Sequence, residues 1–264
     1  MVDDHAERTG SVVLVGGGPG SDDLLTVAAT KALATADVVL YDRLSPHSHL
    51  ADLAPHAELI NVGKRPGHHP TSQSEIERTM IEYAAAGSRV VRLKGGDPYV
   101  FGRGSEEVIA CQAAGIPVSV IPGITSAVSV PASIGIPLTH RGISHLFTVV
   151  SGHAPLTDIE LEHLAGLGGT IVVLMGIGTL PHLVSGLRRF GAPGDLPVAI
   201  VERGFSPSQR TTTSSLDAVV QDAALAKVAS PAVIVIGEVV RLAYDGDAEA
   251  HILLARAELL ARVD

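Results

Sequence analysis

The segment from residue 92 to residue 104 combines the residue types that ligand sites need. It reads Arg-Leu-Lys-Gly-Gly-Asp-Pro-Tyr-Val-Phe-Gly-Arg-Gly. The preceding Ser88–Leu93 has the apolar pattern of a short strand, and the following Ser105–Ala110 carries acidic residues where the first turn of a helix favours them. The glycines therefore follow the carboxyl end of a strand, which is where open α/β sheets bind ligands.

Within this segment, Gly95, Gly96 and Asp97 are the residues predicted to meet a ligand. Two adjacent glycines increase the conformational entropy that is lost on folding. They are therefore expected where a close backbone approach or a positive φ requires glycine. Pro98 favours an extended conformation at Asp97, so the Asp97 carboxylate can project past the strand end toward a hydroxyl or ammonium group. An ordinary tight turn is the alternative interpretation.

A second glycine turn follows the first predicted strand. Gly16, Gly18 and Ser21 nearly match the dinucleotide-binding pattern. Asp42 closes the second strand about where a ribose-binding acid would stand. The pattern therefore keeps a nicotinamide-dependent dehydrogenase open as one alternative.

Three residues of the same turn argue against a dinucleotide. Pro19 fixes φ and lacks the N–H that a phosphate-binding turn needs. Asp22 and Asp23 open the next predicted helix and would repel a pyrophosphate there. The turn therefore suits a neutral or cationic ligand better, and a plain tight turn between strand and helix is the alternative interpretation.

A third element, Ile121–Ala127, leads from a strand into a helix. Thr125 and Ser126 stand at the predicted N-cap, with hydroxyls and amides facing the same strand ends. A ligand contact is predicted here, and simple helix capping is the alternative.

The basic residues are concentrated in loops although the chain carries a formal net charge of −9. This pattern predicts a polyanionic substrate held by local positive charge. A nucleic-acid partner is not expected, because the chain is acidic and contains no run of basic residues that would predict a broad basic face. A metal site is also not expected, because the histidine spacing lacks a ligand pattern. The loop cations are Arg43, Lys64, Arg65, His68, His69, Arg103, His140 and Arg141.

Short β-branched runs alternate with helical segments along 264 residues. The alternation predicts an α/β fold of two domains, with a parallel N-terminal sheet and a mixed C-terminal sheet. The second sheet is predicted to be mixed because Gln209–Ser214 and Ala232–Val240 are close enough in sequence to allow antiparallel neighbours. The predicted divisions are a flexible N-terminus (1–10), an N-terminal α/β domain (11–123), a C-terminal α/β domain (124–242) and a helical tail (243–264).

Cysteine usage and hydropathy give an expectation about location. Cys111 is the only cysteine, which is typical of a reducing compartment. No apolar run reaches the roughly 18 residues of a membrane span, and the polar start lacks the apolar core of a signal peptide. We therefore expect a cytoplasmic protein with no membrane partner.

Six motifs, in order, resemble the tetrapyrrole methylases. Elements near Asp42, Lys64 and His140 favour the branch of that family that methylates uroporphyrinogen III. The similarity runs from about Ser11 to about Leu242. The motifs span residues 15–20, 41–44, 62–65, 94–103, 122–127 and 138–142.

The resemblance implies a homodimer in which two α/β domains clasp S-adenosyl-L-methionine in the cleft between them. It implies methylation of uroporphyrinogen III at C2 and C7, giving precorrin-2 for sirohaem or cobalamin synthesis. Asp42 matches a proton acceptor, and Lys64 matches a proton donor. The positions that match cofactor contacts are Pro19, Gly95, Gly96, Asp97, Val100, Thr125, Ser126, Met175 and Gly204.

The substrate has eight carboxylates, which the loop cations can pair with. The residues predicted to do so are Arg43, Arg65, Arg103, His140 and Arg141. The alternatives that stay open are a sibling methylase of a later corrin precursor, the dehydrogenase and a non-catalytic binding module. Ser105 departs from the family pattern, where a third glycine is common.

Overall fold

The computed structural model describes residues 10–63 and 72–243, which form two compact units that divide between Thr125 and Ser126. The predicted flexible N-terminus, except Gly10, and the predicted helical tail, except Ala243, lie outside the described residues. No helix of the described part is long and apolar enough to cross a membrane.

The first unit is a parallel sheet with strand order β3-β2-β4-β1-β5. This confirms the predicted parallel N-terminal sheet. The elements are β1 (Ser11–Gly16), α1 (Val27–Ala34), β2 (Val38–Tyr41), α2 (Leu50–Leu53), β3 (Glu58–Asn61), α3 (Gln73–Ala85), β4 (Arg89–Lys94), α4 (Gly104–Ala113) and β5 (Val118–Ile121).

Helices cover both faces of this sheet because its central strands are apolar on both sides. Leu33 of α1 packs with Val15 and Leu93 on one face. Met80 of α3 packs with Leu14 on the other. The strand ends are thus held between two cores, which fixes the loops that follow them.

Local capping decides where two of the helices begin. A capping box at Ser72 starts α3: the Ser72 hydroxyl accepts the Glu75 N–H, and the Glu75 carboxylate accepts the Ser72 N–H. The helix predicted from Asp22 was wrong, since Asp22–Leu24 is a single 3-10 turn. The α-helix begins at Val27 instead, because the Thr26 hydroxyl accepts the Ala29 N–H and caps it there.

The second unit is a mixed sheet with strand order β6-β7-β10-β8-β9, which confirms the predicted mixed sheet. Its β6 and β7 are parallel, and its other pairs are antiparallel. The elements are α5 (Ser126–Ala132), β6 (Phe147–Ser151), α6 (Asp158–Leu167), β7 (Thr170–Leu174), α7 (Leu180–Arg189), β8 (Pro197–Glu202), β9 (Arg210–Ser215), α8 (Val219–Leu225) and β10 (Ala232–Ile236).

The antiparallel pairing of β9 with β10 that their closeness in sequence allowed is not the one in the structure. Among the described strands, β9 pairs with β8 only, whereas β10 lies between β7 and β8. The physical reason is composition: β10 reads Ala-Val-Ile-Val-Ile and is buried along most of its length, so it belongs in the sheet centre. The polar β9 reads Arg-Thr-Thr-Thr-Ser-Ser and takes the edge, where water can reach it.

Candidate active site

Most predicted site residues of the first unit follow its strands. Because β1 to β5 are all parallel, the loops after β1, β2, β4 and β5 meet at one carboxyl edge. The structure therefore brings together residues that are far apart in sequence. They are Pro19, Asp42, Arg43, Gly95, Gly96, Asp97, Val100, Arg103 and Thr125.

The two glycine turns are joined by backbone hydrogen bonds. The Gly18 N–H donates to Gly96 O at 3.1 Å, and the Gly96 N–H donates to Gly18 O at 2.6 Å. The Gly17 N–H also donates to Lys94 O at 2.7 Å. Gly18 and Gly96 have φ of 72° and 68°, which favours glycine at both positions. The turns after β1 and β4 are thus one paired structure.

The loop after β5 closes against this pair. A Cβ on Gly123 would lie 2.3 Å from Gly96 O and 2.6 Å from the Gly16 Cα. A Cβ on Gly16 would lie 2.3 Å from Gly123 N. Three neighbouring strand ends therefore approach backbone to backbone, which only residues without a side chain permit.

Asp97 ties these loops together. Its Oδ1 accepts the Tyr99 N–H at 2.8 Å, and its Oδ2 accepts the Gly123 N–H at 3.0 Å. The side chain is half-buried and each oxygen keeps a second lone pair for a ligand. Sequence reasoning missed the link to Gly123, which depends on contact between residues 26 positions apart.

Asp42 lies where β2 ends. Its Oδ1 accepts the N–H groups of Leu44 and Ser45, each at 3.0 Å, and its Oδ2 is 3.5 Å from an Nη2 of Arg92. The side chain is 28% exposed, so the carboxylate is fixed yet still accessible to a ligand. Arg43, the next residue, is exposed.

The loop after β3 meets the loop after β2. A Cβ on Gly63 would lie 2.9 Å from the Arg43 N, so the two backbones are close. Gly63 is the last described residue before a gap. The predicted site residues Lys64 and Arg65, with His68 and His69, lie outside the described residues.

Arg103 is exposed at the start of α4 and has a φ of 57°, in the left-handed region. Its Nε and Nη2 donate to the two Glu106 oxygens at 2.9 and 2.6 Å. The hydrogen bonds from Arg103 lower the pKa of Glu106. Phe101 of the same loop also has a positive φ, of 55°. Such strain outside glycine is concentrated at functional sites.

Sequence reasoning missed a buried ionic cluster beneath this edge. Arg92 and Lys94 both contact the fully buried Glu107: Arg92 Nε is 3.1 Å from Oε1, and Lys94 Nζ is 2.9 Å from each oxygen. Burial lowers the pKa of Lys94, as does the nearby Arg92 charge, whereas Glu107 opposes both. Two cations two positions apart on an apolar strand were the available signal.

The second unit carries its own predicted cofactor residues at strand ends. Met175 follows β7 and Gly204 follows β8. Both strands are antiparallel to β10, so their carboxyl ends share one edge of the mixed sheet. Met175, Arg203 and Phe205 have φ of 59°, 49° and 62°. A Cβ on Gly204 would lie 2.6 Å from a Val130 methyl, so this turn packs against α5.

The structure does not bring His140 and Arg141 to that edge. They lie in a turn whose His140 N–H donates to Ser144 O at 2.8 Å. The Thr170 hydroxyl donates to Ser144 Oγ at 3.2 Å, which fixes the turn at the amino end of β7. Met175 follows the carboxyl end of the same strand. Within the second unit these predicted residues therefore lie at opposite ends of β7.

Ser126 is the first residue of α5, and Thr125 immediately precedes it. The predicted start of this helix is thus placed correctly, and both residues are half-buried. Their contact with a ligand stays a prediction. Within residues 10–63 and 72–243, no group of three histidine, cysteine, aspartate or glutamate side chains could hold a metal ion.

The residues around the paired turns fit a cationic cofactor. The turn after β1 runs into Asp22 and Asp23, and Asp97 lies in the adjoining loop. Lys94 faces the buried Glu107, and Arg103 is paired with Glu106, so these two positive charges are compensated. A sulfonium group suits such surroundings, whereas a pyrophosphate does not.

The chain is similar in sequence to known proteins. Residues 11–220 match the model of the Tetrapyrrole (Corrin/Porphyrin) Methylases. A siroheme synthase of Gluconobacter oxydans is 46% identical over 90% of this chain, which spans about half (51%) of that relative's length. An S-adenosyl-L-methionine-dependent uroporphyrinogen III methyltransferase of Methanosarcina barkeri is 45% identical, with 88% of this chain and 93% of the relative covered.

A solved structure is also similar. It is the uroporphyrin-III C-methyl transferase of Thermus thermophilus complexed with S-adenyl homocysteine. It is 43% identical, has a TM-score of 0.73, and matches 88% of this chain and 99% of its own. The family match covers most of the chain. The chain therefore belongs to the tetrapyrrole methylase family.

Proposed function

We propose that this chain is a uroporphyrinogen-III C-methyltransferase. It transfers methyl groups from S-adenosyl-L-methionine to C2 and C7 of uroporphyrinogen III and yields precorrin-2, a precursor for sirohaem or cobalamin. The observation that carries the proposal is the similarity to the Methanosarcina barkeri methyltransferase over 93% of that relative's length. The paired glycine turns among acidic side chains support a sulfonium cofactor in the first unit.

The residues proposed to hold the cofactor are those of the strand-end turns. In the first unit they are Pro19, Gly95, Gly96, Asp97, Val100 and Thr125, and in the second unit Ser126, Met175 and Gly204. When bound, S-adenosyl-L-methionine supplies an electrophilic methyl group on a positively charged sulfur. The chain's part is to align the reacting groups, and rigid backbone turns suit that task.

Asp42 is proposed to accept the proton that methylation releases, and Lys64 to donate a proton. The Asp42 carboxylate is fixed through Oδ1 by two backbone N–H groups, and it remains 28% exposed. A general base must be both oriented and reachable, and Asp42 meets both conditions. The role of Lys64 rests on the resemblance alone.

The substrate's carboxylates are proposed to meet Arg43, Arg65, Arg103, His140 and Arg141. Arg43, Arg103 and Arg141 are exposed, as charge pairing with a large anionic ligand requires. Exposed apolar side chains lie in the same loops as two of these cations. They are Leu44 (51% exposed), Tyr99 (58%) and Phe101 (45%).

The proposal is tested by incubating the purified protein with uroporphyrinogen III and S-adenosyl-L-methionine, then measuring product mass. We expect a gain of two methyl groups. The same incubation with uroporphyrinogen I in place of uroporphyrinogen III is the control for substrate specificity. Absence of methyl transfer at a high enzyme concentration would refute the proposal, and transfer only to a later corrin precursor would favour the sibling activity.

A homodimer in the cytoplasm completes the proposal. The dimer rests on the resemblance, and the reducing compartment rests on the single cysteine, Cys111, which is buried and unpaired by any disulfide. Sedimentation at micromolar concentration measures the assembly, and a monomer would contradict it.

A further inference from the structure

We propose that buried Arg92 is a positioning residue for methyl transfer, because it holds the Asp42 carboxylate from beneath the carboxyl edge of the sheet. The inference rests on the proposed function, which makes Asp42 the proton acceptor. Arg92 itself does not touch a ligand in this proposal. It acts through Asp42, and Glu107 and Lys94 hold Arg92 in turn.

The two oxygens of Asp42 have different partners. Oδ1 accepts the backbone N–H groups of Leu44 and Ser45. Oδ2 faces Arg92 Nη2 at 3.5 Å. The backbone bonds fix one oxygen, and the guanidinium sets the direction of the other. Together they restrict rotation of the carboxylate about its Cβ–Cγ bond.

Arg92 is itself held by hydrogen bonds within the core. Its Nε donates to Glu107 Oε1 at 3.1 Å and its Nη1 donates to Leu93 O at 2.9 Å. The side chain is only 4% exposed. A planar guanidinium fixed at Nε and Nη1 has no freedom left at Nη2. Contacts within the core therefore fix the direction in which Nη2 of Arg92 faces the Asp42 carboxylate.

Charge compensation allows this arrangement in the core. Glu107 is fully buried and pairs with both Arg92 and Lys94. Gln73 of α3 adds a hydrogen bond to Glu107 Oε1 at 3.3 Å. With Asp42 included, the two cations Arg92 and Lys94 are balanced by the two carboxylates of Glu107 and Asp42.

A role in stability alone does not account for the cluster. Replacing a buried ion pair with apolar residues of similar volume is often neutral or stabilising. The rest of this face is apolar, with Leu14, Leu40 and Met80 packed in the same core. Apolar residues in place of the whole ionic cluster would suit that core, whereas only a rigid, charged fork reaches Glu107 and Asp42 together.

The test is a double-mutant cycle in kcat, with Arg92→Met, Asp42→Asn and the double variant. We expect Arg92→Met to lower kcat about tenfold or more. Calorimetric affinity for S-adenosylhomocysteine should stay unchanged. In the Asp42→Asn background, Arg92→Met should cost no further activity, since its effect passes through the missing carboxylate. Losses that multiply in the double variant would overturn the inference.

Arg89→Met is the matched control, because Arg89 lies on the same strand and pairs with Asp37 in an exposed position. It should keep the wild-type kcat. If Arg92→Met does not fold, Arg92→Lys takes its place, since lysine keeps the charge beside Glu107 but lacks the fork. A folded Arg92→Lys with full kcat would overturn the inference. An inactive wild type would refute the proposed function as well.

Discussion

Gly18 and Gly96 exchange two backbone hydrogen bonds, and this exchange joins the turn after β1 to the turn after β4. Neither turn can therefore move without the other. Gly123 closes against both from the loop after β5. The proposed cofactor site of the first unit is thus a single rigid backbone assembly, and the first prediction concerns its packing.

Gly123→Ala should disrupt this assembly. The new Cβ would lie 2.3 Å from Gly96 O, and backbone cannot yield as a flexible side chain can. We expect a stability loss of about 1–3 kcal/mol in urea unfolding and weaker binding of S-adenosylhomocysteine by calorimetry. Gly166→Ala, in α6, is the control, because nothing lies within 4 Å of its Cβ. A Gly123→Ala variant with wild-type stability and unchanged affinity for S-adenosylhomocysteine would contradict the prediction.

Asp97→Ala should weaken cofactor binding far more than substrate binding. It removes the acceptor for the Tyr99 and Gly123 N–H groups, so the loop after β5 loses its tie to the loop after β4. We expect calorimetry to show at least about a tenfold loss of S-adenosylhomocysteine affinity. Asp158→Ala, at an exposed aspartate in α6, should leave the affinity unchanged. Equal losses for cofactor and substrate would place Asp97 outside the cofactor site.

Arg103→Ala should raise the KM for uroporphyrinogen III about tenfold or more while leaving cofactor affinity unchanged, because it removes a cation from an exposed loop. Its ion pair with Glu106 is exposed, so the stability change should be below about 1 kcal/mol. Arg78→Ala removes a comparable exposed pair on α3 and should not alter KM. A wild-type KM in Arg103→Ala would remove Arg103 from the substrate site.

The His49–Asp22 contact should respond to pH near neutrality. A hydrogen bond from His49 to Asp22 raises the pKa of His49 above 6.5, and the Asp22 and Asp52 charges add to this effect. A raised folded-state pKa means that the contact stabilises fully below the unfolded-state pKa and is lost as pH rises through the folded-state value.

The measurement is an NMR titration of His49 in the wild type and in Asp22→Asn. We expect the titration midpoint to fall in the variant. The difference in thermal unfolding between the wild type and His49→Gln should also shrink from about pH 6 to about pH 8. A difference that grows with pH would have the wrong sign and would refute the prediction.

The strand positions were predictable from sequence because β-branched runs mark buried strands. The strand order of the second sheet could not be predicted, because closeness in sequence suggested β9 beside β10. The structure placed the apolar β10 in the centre and the polar β9 at the edge. The start of α1 was also missed. Asp22 and Asp23 are acidic residues of the kind that open a helix, but the α-helix begins only after the cap at Thr26.

By itself, the sequence determined the family, the fold class and the glycine turns, since residue type and spacing along the chain suffice for these. Only the tertiary structure decided which atoms those turns contact. The Gly18–Gly96 bridge, the tie from Asp97 to Gly123 and the line from Asp42 through Arg92 to Glu107 join residues that are distant in sequence. Such pairs depend on strand order and helix packing, which bring distant backbone and charged groups within hydrogen-bonding distance.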